Sequence, residues 1–125
     1  MVDLSALLDT SVLIGARAPD PDVVQGGWAL SAISLGELSA GVLIATDPAV
    51  RAARLRRAMS VAAEAPVLAI DRAVAARYGE LRAASGRKPT NDLWIAATAL
   101  AHDLTLITRD EGQAALPLVR SVLVD

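Results

Sequence analysis

With 125 residues, 54% of them hydrophobic but with no Phe, one Tyr and two Trp, the chain has the length of one ordinary domain, and its core must be built from Ala, Val, Leu and Ile. A formal net charge of -2 offers no global attraction for nucleic acid, so any contact with RNA or DNA has to come from local arginine clusters. The absence of Cys and a single His, His102, exclude disulfides, thiolate chemistry, Cys- or His-rich metal sites and Ser-His-Asp machinery, which leaves carboxylates to do any catalysis.

The apolar run Ser5–Leu8 predicts a buried first strand that ends at Asp9, with Thr10 or Ser11 capping the short helix that follows. Ala18-Pro19-Asp20-Pro21-Asp22 reads as a loop or as the entry to a short helix. Trp28–Ile33 is a second strand, and Ser34 starts a helix to about Ala45. Asp47-Pro48 opens the next helix, whose one face carries Arg51, Arg54 and Arg57 as surface or partner-facing charges, with Arg56 beside them. A third strand over Pro66–Ile70 leads to Asp71, the cap of a helix to Ser85. The basic loop Gly86-Arg87-Lys88-Pro89 precedes a helix capped by Thr90 or Asn91 and apolar on nearly every side from Leu93 to Ala101, hence central. Leu104–Thr108 and Val119–Val124 complete the strands. Strands alternating with helices imply a single α/β domain over residues 1–125 with a mostly parallel sheet.

Neither a basic leader nor a membrane span is expected. Met1-Val2-Asp3 is acidic, and the longest apolar stretch, Trp28–Ala45, is broken by Glu37 and by Ser31, Ser34 and Ser39, short of the roughly 20 clean apolar residues a span needs. The expectation is a soluble, cytoplasmic protein.

Four acids fall at the ends of hydrophobic elements: Asp9, Glu37, Asp92 and Asp110. Each has a bland reading. Asp9 can cap a helix, Ser34-Leu35-Gly36-Glu37 is itself a capping box, Asp92 suits a helix N-terminus, and Asp110 can form an Asx turn with Glu111 as a competing acid. In a parallel sheet, however, ligands bind beyond the carboxyl ends of the strands, a rim all four can reach. Carboxylates converging there call for a hard divalent cation.

In order along the chain, the motifs Asp9-Thr10-Ser11-Val12-Leu13-Ile14, Ile33-Ser34-Leu35-Gly36-Glu37-Leu38, Asn91-Asp92-Leu93-Trp94-Ile95-Ala96-Ala97 and Leu106-Ile107-Thr108-Arg109-Asp110 resemble those of the PIN-domain ribonucleases. Within that group the chain looks most like a VapC toxin of a bacterial toxin–antitoxin pair. The resemblance implies a PIN-like three-layer α/β/α sandwich and a metal-dependent endoribonuclease. It further implies that Asp9, Glu37, Asp92 and Asp110 bind one or two Mg²⁺ or Mn²⁺ ions, and that Thr10 or Ser11 and Thr108 supply supporting hydroxyls. The expected partners are an RNA substrate, a second copy of the chain, and a VapB-type antitoxin whose C-terminal segment enters a groove near Glu37–Leu43. One departure stands out: Thr108-Arg109-Asp110-Glu111-Gly112-Gln113 lacks the Asn and Phe common in the family's last motif, which leaves the fourth acid open between Asp110 and Glu111.

Arg17, Arg87, Lys88 and Arg109 flank the acidic motifs and are candidate phosphate contacts or ordinary surface charges. The scarcity of aromatics points to recognition of RNA by shape and backbone. His102 is read as a partner of a helix C-terminal dipole. Rival readings are a catalytically degenerate PIN-like scaffold and an Asp-nucleophile phosphotransferase centred on Asp9. The second wants an acid two residues on, where the chain has Ser11. A receiver domain wants a Lys after a late strand, and the one Lys is Lys88.

Overall fold

A computed structural model describes residues 3–15 and 26–125. Along the chain run β1 (Leu4–Leu8), α1 (Thr10–Leu13), β2 (Gly27–Ser31), α2 (Ala32–Ile44), α3 (Pro48–Glu64), β3 (Val67–Leu68), α4 (Arg72–Ser85), α5 (Thr90–Ala101), β4 (Thr105–Thr108), α6 (Glu111–Ala114) and β5 (Ser121–Leu123). The strands form one sheet in the order β3-β2-β1-β4-β5, and every pairing is parallel. The loop expected at Ala18–Asp22, and Arg17, lie outside the described residues.

Parallel strands covered on both faces need apolar side chains on both, and here the alternation divides them cleanly. Leu7, Ala29 and Leu106 face the layer that holds Val74 and Leu81 of α4 and Leu93, Ile95, Ala96, Ala97 and Ala99 of α5. Ala6, Leu8, Leu30 and Ile107 face the opposite layer, with Val12 and Leu13 of α1, Leu38 of α2 and Ala58 and Val61 of α3. The result is the expected three-layer α/β/α sandwich, with α5 as the central buried helix. Its small residues let it lie close to the sheet, and Trp94 stacks on Tyr78 of α4 with ring centroids 3.9 Å apart. No helix among the described residues is long and apolar enough to cross a membrane.

Several helix starts differ from the sequence expectation, for reasons of capping. β2 ends at Ser31, not Ile33, because Ser31 is extended (φ -77°, ψ 148°) and its hydroxyl accepts from the Ile33 N–H, which starts α2 two residues before Ser34. The Ser34–Glu37 capping box therefore does not form. Ser34 is buried inside the helix and Glu37 stands in its second turn, free of any capping duty. At α1 the N-cap is Asp9, not Thr10 or Ser11; at α5 it is Pro89, so neither Thr90 nor Asn91 caps it. β3 is shorter than Pro66–Ile70, and α6 was not expected at all. Asp47 and Asp71 cap α3 and α4 as read from the sequence.

The arginine stripe of α3 has an internal use. α2 ends with Ala45 extended, which leaves its last carbonyls without the closing bonds of a left-handed cap. Arg51 donates to Val42 O and Leu43 O (both 3.1 Å) and Arg54 to Gly41 O (2.8 Å), while Arg57 reaches Gly15 O (3.0 Å). Arg51 and Arg54 fasten α3 along the C-terminus of α2, where cations also suit the helix dipole, and Arg57 ties α3 to the residue after α1.

Ser31→Ala should destabilise the protein by about 1 kcal/mol through loss of the α2 cap. Urea unfolding of Ser31→Ala against wild type measures it, and an unchanged midpoint would return the helix start to Ser34.

Candidate active site

Strand order 3-2-1-4-5 places the topological switch beside β1, where the chain leaves the β2 side of the sheet and crosses to β4. Such a crevice, beyond the carboxyl ends of β1 and β4, is where an open α/β sheet binds ligands. Asp9 follows β1 directly and is held in line by its N–H bond to Ile107 O (2.9 Å). Thr108 is the last residue of β4, and Asp110 follows two residues later as the N-cap of α6.

Asp9 is only 5% exposed, and a buried carboxylate needs donors. Its Oδ2 accepts from Ser11 Oγ at 2.7 Å and from Thr108 Oγ1 at 2.9 Å. Each hydroxyl in turn accepts a backbone N–H from the segment after β4: Arg109 N to Ser11 Oγ (2.9 Å) and Asp110 N to Thr108 Oγ1 (3.0 Å). A hydroxyl has one proton to give. With its lone pair taken by an N–H, each is oriented to spend that proton on Asp9, which leaves Oδ1 as the carboxylate oxygen facing other company. Of the hydroxyls expected near the site, Ser11 and Thr108 serve Asp9, while Thr10 serves Glu37.

Glu37 is half-buried on α2. Thr10 Oγ1 donates to its Oε1 at 2.6 Å and lies 2.9 Å from Ser34 Oγ, and Asn91 Nδ2 approaches its Oε2 at 3.5 Å. Asp92, half-buried in the first turn of α5, has its carboxyl pushed up from 3.8 to about 6, first by burial and then by repulsion from Asp9, Asp110 and Glu37. The other three predicted acids thus all act electrostatically on Asp92. The acid after β4 that reaches Asp92 is Asp110; Glu111 is exposed and is not among the groups acting on it. Asp110 also caps α6, its Oδ1 accepting from Gly112 N (2.8 Å) and Gln113 N (3.2 Å). The acids share a field without closing on one point: among the described residues no three or more His, Cys, Asp or Glu side chains are gathered tightly enough to hold a metal ion as they stand. The donor set is nonetheless all carboxylate and hydroxyl oxygen, the chemistry a hard divalent cation selects.

Three polar residues at the site escaped the sequence reading as participants. The sequence reads Ser34 as a helix start and Asn91 as a capping alternative. Gln113 carried no signal at all. It is 1% exposed, donates from Nε2 to Asp92 O at 2.9 Å, and holds α6 against the first turn of α5. Its buried Oε1 has no hydrogen-bond partner. Of the cations expected near substrate, Arg87 and Lys88 are exposed in the loop before α5, whereas Arg109 turns its guanidinium to backbone carbonyls. His102 is the C-cap of α5, in keeping with its expected place at a helix C-terminus.

An all-parallel five-stranded α/β sandwich with carboxylates gathered beyond β1 and β4 is the architecture of a PIN-type protein, and the PIN domain family model matches residues 6–118, so the chain belongs to the PIN-domain family. The chain is 44% identical to Ribonuclease VapC4 of Mycobacterium tuberculosis, over 95% of this chain and 96% of that protein. It is 39% identical to Ribonuclease VapC5 of the same organism, over 94% and 92% of the two chains. The crystal structure of VapBC-5 from Mycobacterium tuberculosis, a member of the VapBC family of toxin–antitoxin systems, superposes with a TM-score of 0.85 at 37% identity, covering 98% of this chain and 100% of that one.

Raised carboxyl pKa values carry a definite sign. The Asp92 contribution to stability is fully present below its unfolded value near 3.8 and is lost as pH rises through about 6. In EDTA, Asp92→Asn should therefore melt higher than wild type near neutral and mildly alkaline pH, and the difference should shrink to nothing as pH falls toward 4. Thermal melts across that range test it; a wild type that is the more stable at high pH would contradict the repulsion.

Proposed function

We propose that the chain is a metal-dependent endoribonuclease that hydrolyses RNA phosphodiester bonds and acts as the toxin of a toxin–antitoxin pair. The observation that carries this reading is the repulsion of Asp92 by Asp9, Asp110 and Glu37 at the switch point of a chain related over nearly its whole length to VapC ribonucleases. Asp9 and Asp92 would hold the main ion, Mg²⁺ or Mn²⁺, with Asp110 completing the site and Glu37 ligating or orienting the attacking water. A bound divalent cation would supply Lewis-acid charge neutralisation at the phosphodiester.

The chain's own residues prepare that task. Ser11 and Thr108 fix Asp9 by one oxygen and leave the other for binding. Thr10 and Asn91 hold the two oxygens of Glu37 from opposite elements, which sets the direction of its carboxylate. Gln113 secures the backbone of Asp92 and Asp110 secures α6, so the third and fourth acids are tied through one short helix. Arg87 and Lys88, exposed in the loop before α5, would be the cations that meet phosphates of an RNA strand.

A groove of ≈ 530 Å³ adjoins Glu37, lined by Thr10, Ile14, Glu37, Leu38, Gly41, Ala53, Arg54 and Arg57. Its apolar residues Ile14, Leu38 and Ala53 suit a segment of a VapB-type antitoxin that brings apolar side chains, with Glu37 to meet a cation and Arg54 and Arg57 to meet an acid, and the active assembly is proposed to be a homodimer. The looseness of the acid cluster is the observation that favours the second reading, a PIN-like scaffold without catalysis.

Cleavage of RNA by purified protein with Mg²⁺ or Mn²⁺ separates the two. Asp9→Asn and Asp92→Asn should each lose at least about 100-fold in kcat, and Thr108→Val about 10- to 100-fold, as expected for a group that orients a metal ligand. Wild type and both Asn variants cutting equally would remove these acids from the reaction. A wild type that neither cuts RNA nor binds Mn²⁺ would leave the scaffold. Total cellular RNA after brief expression should show a discrete cleaved species.

A further inference from the structure

Arg109 sits between Thr108 and Asp110 in the last acidic motif, the position of a phosphate contact, yet its side chain serves another purpose. Nε donates to Asp125 O at 2.6 Å, and Nη1 donates to Val12 O at 3.1 Å and Ser11 O at 3.4 Å. Its backbone N–H meanwhile donates to Ser11 Oγ at 2.9 Å. One residue therefore grips Ser11 at both its hydroxyl and its carbonyl. α1 is four residues long, too short to hold its own shape in water, and its local bonds are few: the Ile14 N–H reaches Thr10 O and the Gly15 N–H reaches Val12 O, to which Arg109 adds donors on Val12 O and Ser11 O. Gly15, just beyond α1, keeps the space clear: a Cβ there would run into the Arg109 guanidinium.

We infer that Arg109 is a positioning residue, which clamps α1 to the end of β4 and thereby sets Ser11 and the Asp9 carboxylate, instead of contacting an RNA phosphate. This deepens the nuclease reading and rests on it. With the guanidinium gone, the Ser11 and Val12 carbonyls lose a charged donor, α1 rests on the Ser11 hydroxyl and on the packing of Val12 and Leu13 with Ile107, and the Ser11 donor to Asp9 Oδ2 is held less firmly. The consequence falls on the chemical step, because the substrate strand has not lost a contact.

The test compares full-length wild type, Arg109→Met, Arg109→Lys and Gly15→Ala, with bulk transfer RNA as the probe and Mg²⁺ or Mn²⁺ present, over a range of salt. Arg109→Met keeps the apolar stem, so its loss reads the charged fork. It should lower kcat by about 10- to 100-fold with KM within about twofold of wild type and the salt dependence of KM unchanged. Arg109→Lys, which can still donate to one carbonyl, should recover part of kcat. Gly15→Ala, which displaces the same guanidinium, should lower kcat in the same direction, and combining it with Arg109→Met should add nothing. An unchanged kcat with a raised KM, and a plot of log KM against log salt flattened by roughly 0.7, would make Arg109 a phosphate contact and overturn the proposal.

Amide hydrogen exchange without metal or RNA gives a reading independent of cleavage. The Ile14 and Gly15 N–H groups, bonded to Thr10 O (3.0 Å) and Val12 O (3.2 Å), should lose protection in Arg109→Met while the β1 amides keep theirs. Unchanged protection would also overturn the clamp. If wild type cuts no RNA, the nuclease reading fails, and the exchange result alone decides whether Arg109 holds α1.

Discussion

Everything at the mouth of this sheet is arranged around one buried carboxylate and the two hydroxyls that share its Oδ2. Asp9 is nearly inaccessible to water, so its charge has to be met from within. Ser11 and Thr108 meet it, and both are themselves oriented by successive N–H groups after β4. Those contacts bind residues about a hundred positions apart into one knot, across the parallel pair β1–β4. The knot fixes where β1 ends, which way α1 leaves, and how the segment carrying Asp110 returns. A change in any member alters the surroundings of the acid as well as the packing.

Around that knot the remaining acids are held by neutral groups. Thr10 and Asn91 take Glu37, backbone amides take one oxygen of Asp110, and Gln113 takes the carbonyl of Asp92. Neutral donors orient carboxylates without cancelling their charge, so the repulsion survives and shows itself at Asp92. That is the electrostatic character a cation-binding site needs. Arginines, by contrast, are used on carbonyls: Arg51, Arg54, Arg57 and Arg109 close the unsatisfied ends of short or open helices.

Much of this could be read in advance. The alternation of apolar strands with helices gave the parallel sandwich, and Asp47-Pro48 and Asp71 announced their helices because a capping aspartate acts through its immediate neighbours. The four acids were legible from their places at element ends and from the motifs around them. The starts of α1, α2 and α5 were not. Ser31 and Ser34 are equally good caps as letters, and the choice fell to Ser31 because β2 pairing with β3 ends there and Thr98 of α5 lies 3.4 Å from its hydroxyl. Gln113 was invisible for a similar reason, since nothing in its neighbours says that a helix of four residues will be pressed against Asp92.

The sequence by itself determined the fold class and singled out Asp9, Glu37, Asp92 and Asp110 as candidate acids at the ends of hydrophobic elements. These follow from composition, periodicity and short motifs, which are local properties of the chain. Only the tertiary structure decided which hydroxyl serves which acid, that Asp110 and not Glu111 acts on Asp92, and that Arg51, Arg54, Arg57 and Arg109 face carbonyls. Each of those is a contact between segments distant along the chain, and its existence depends on strand order and on the direction in which short helices leave the sheet.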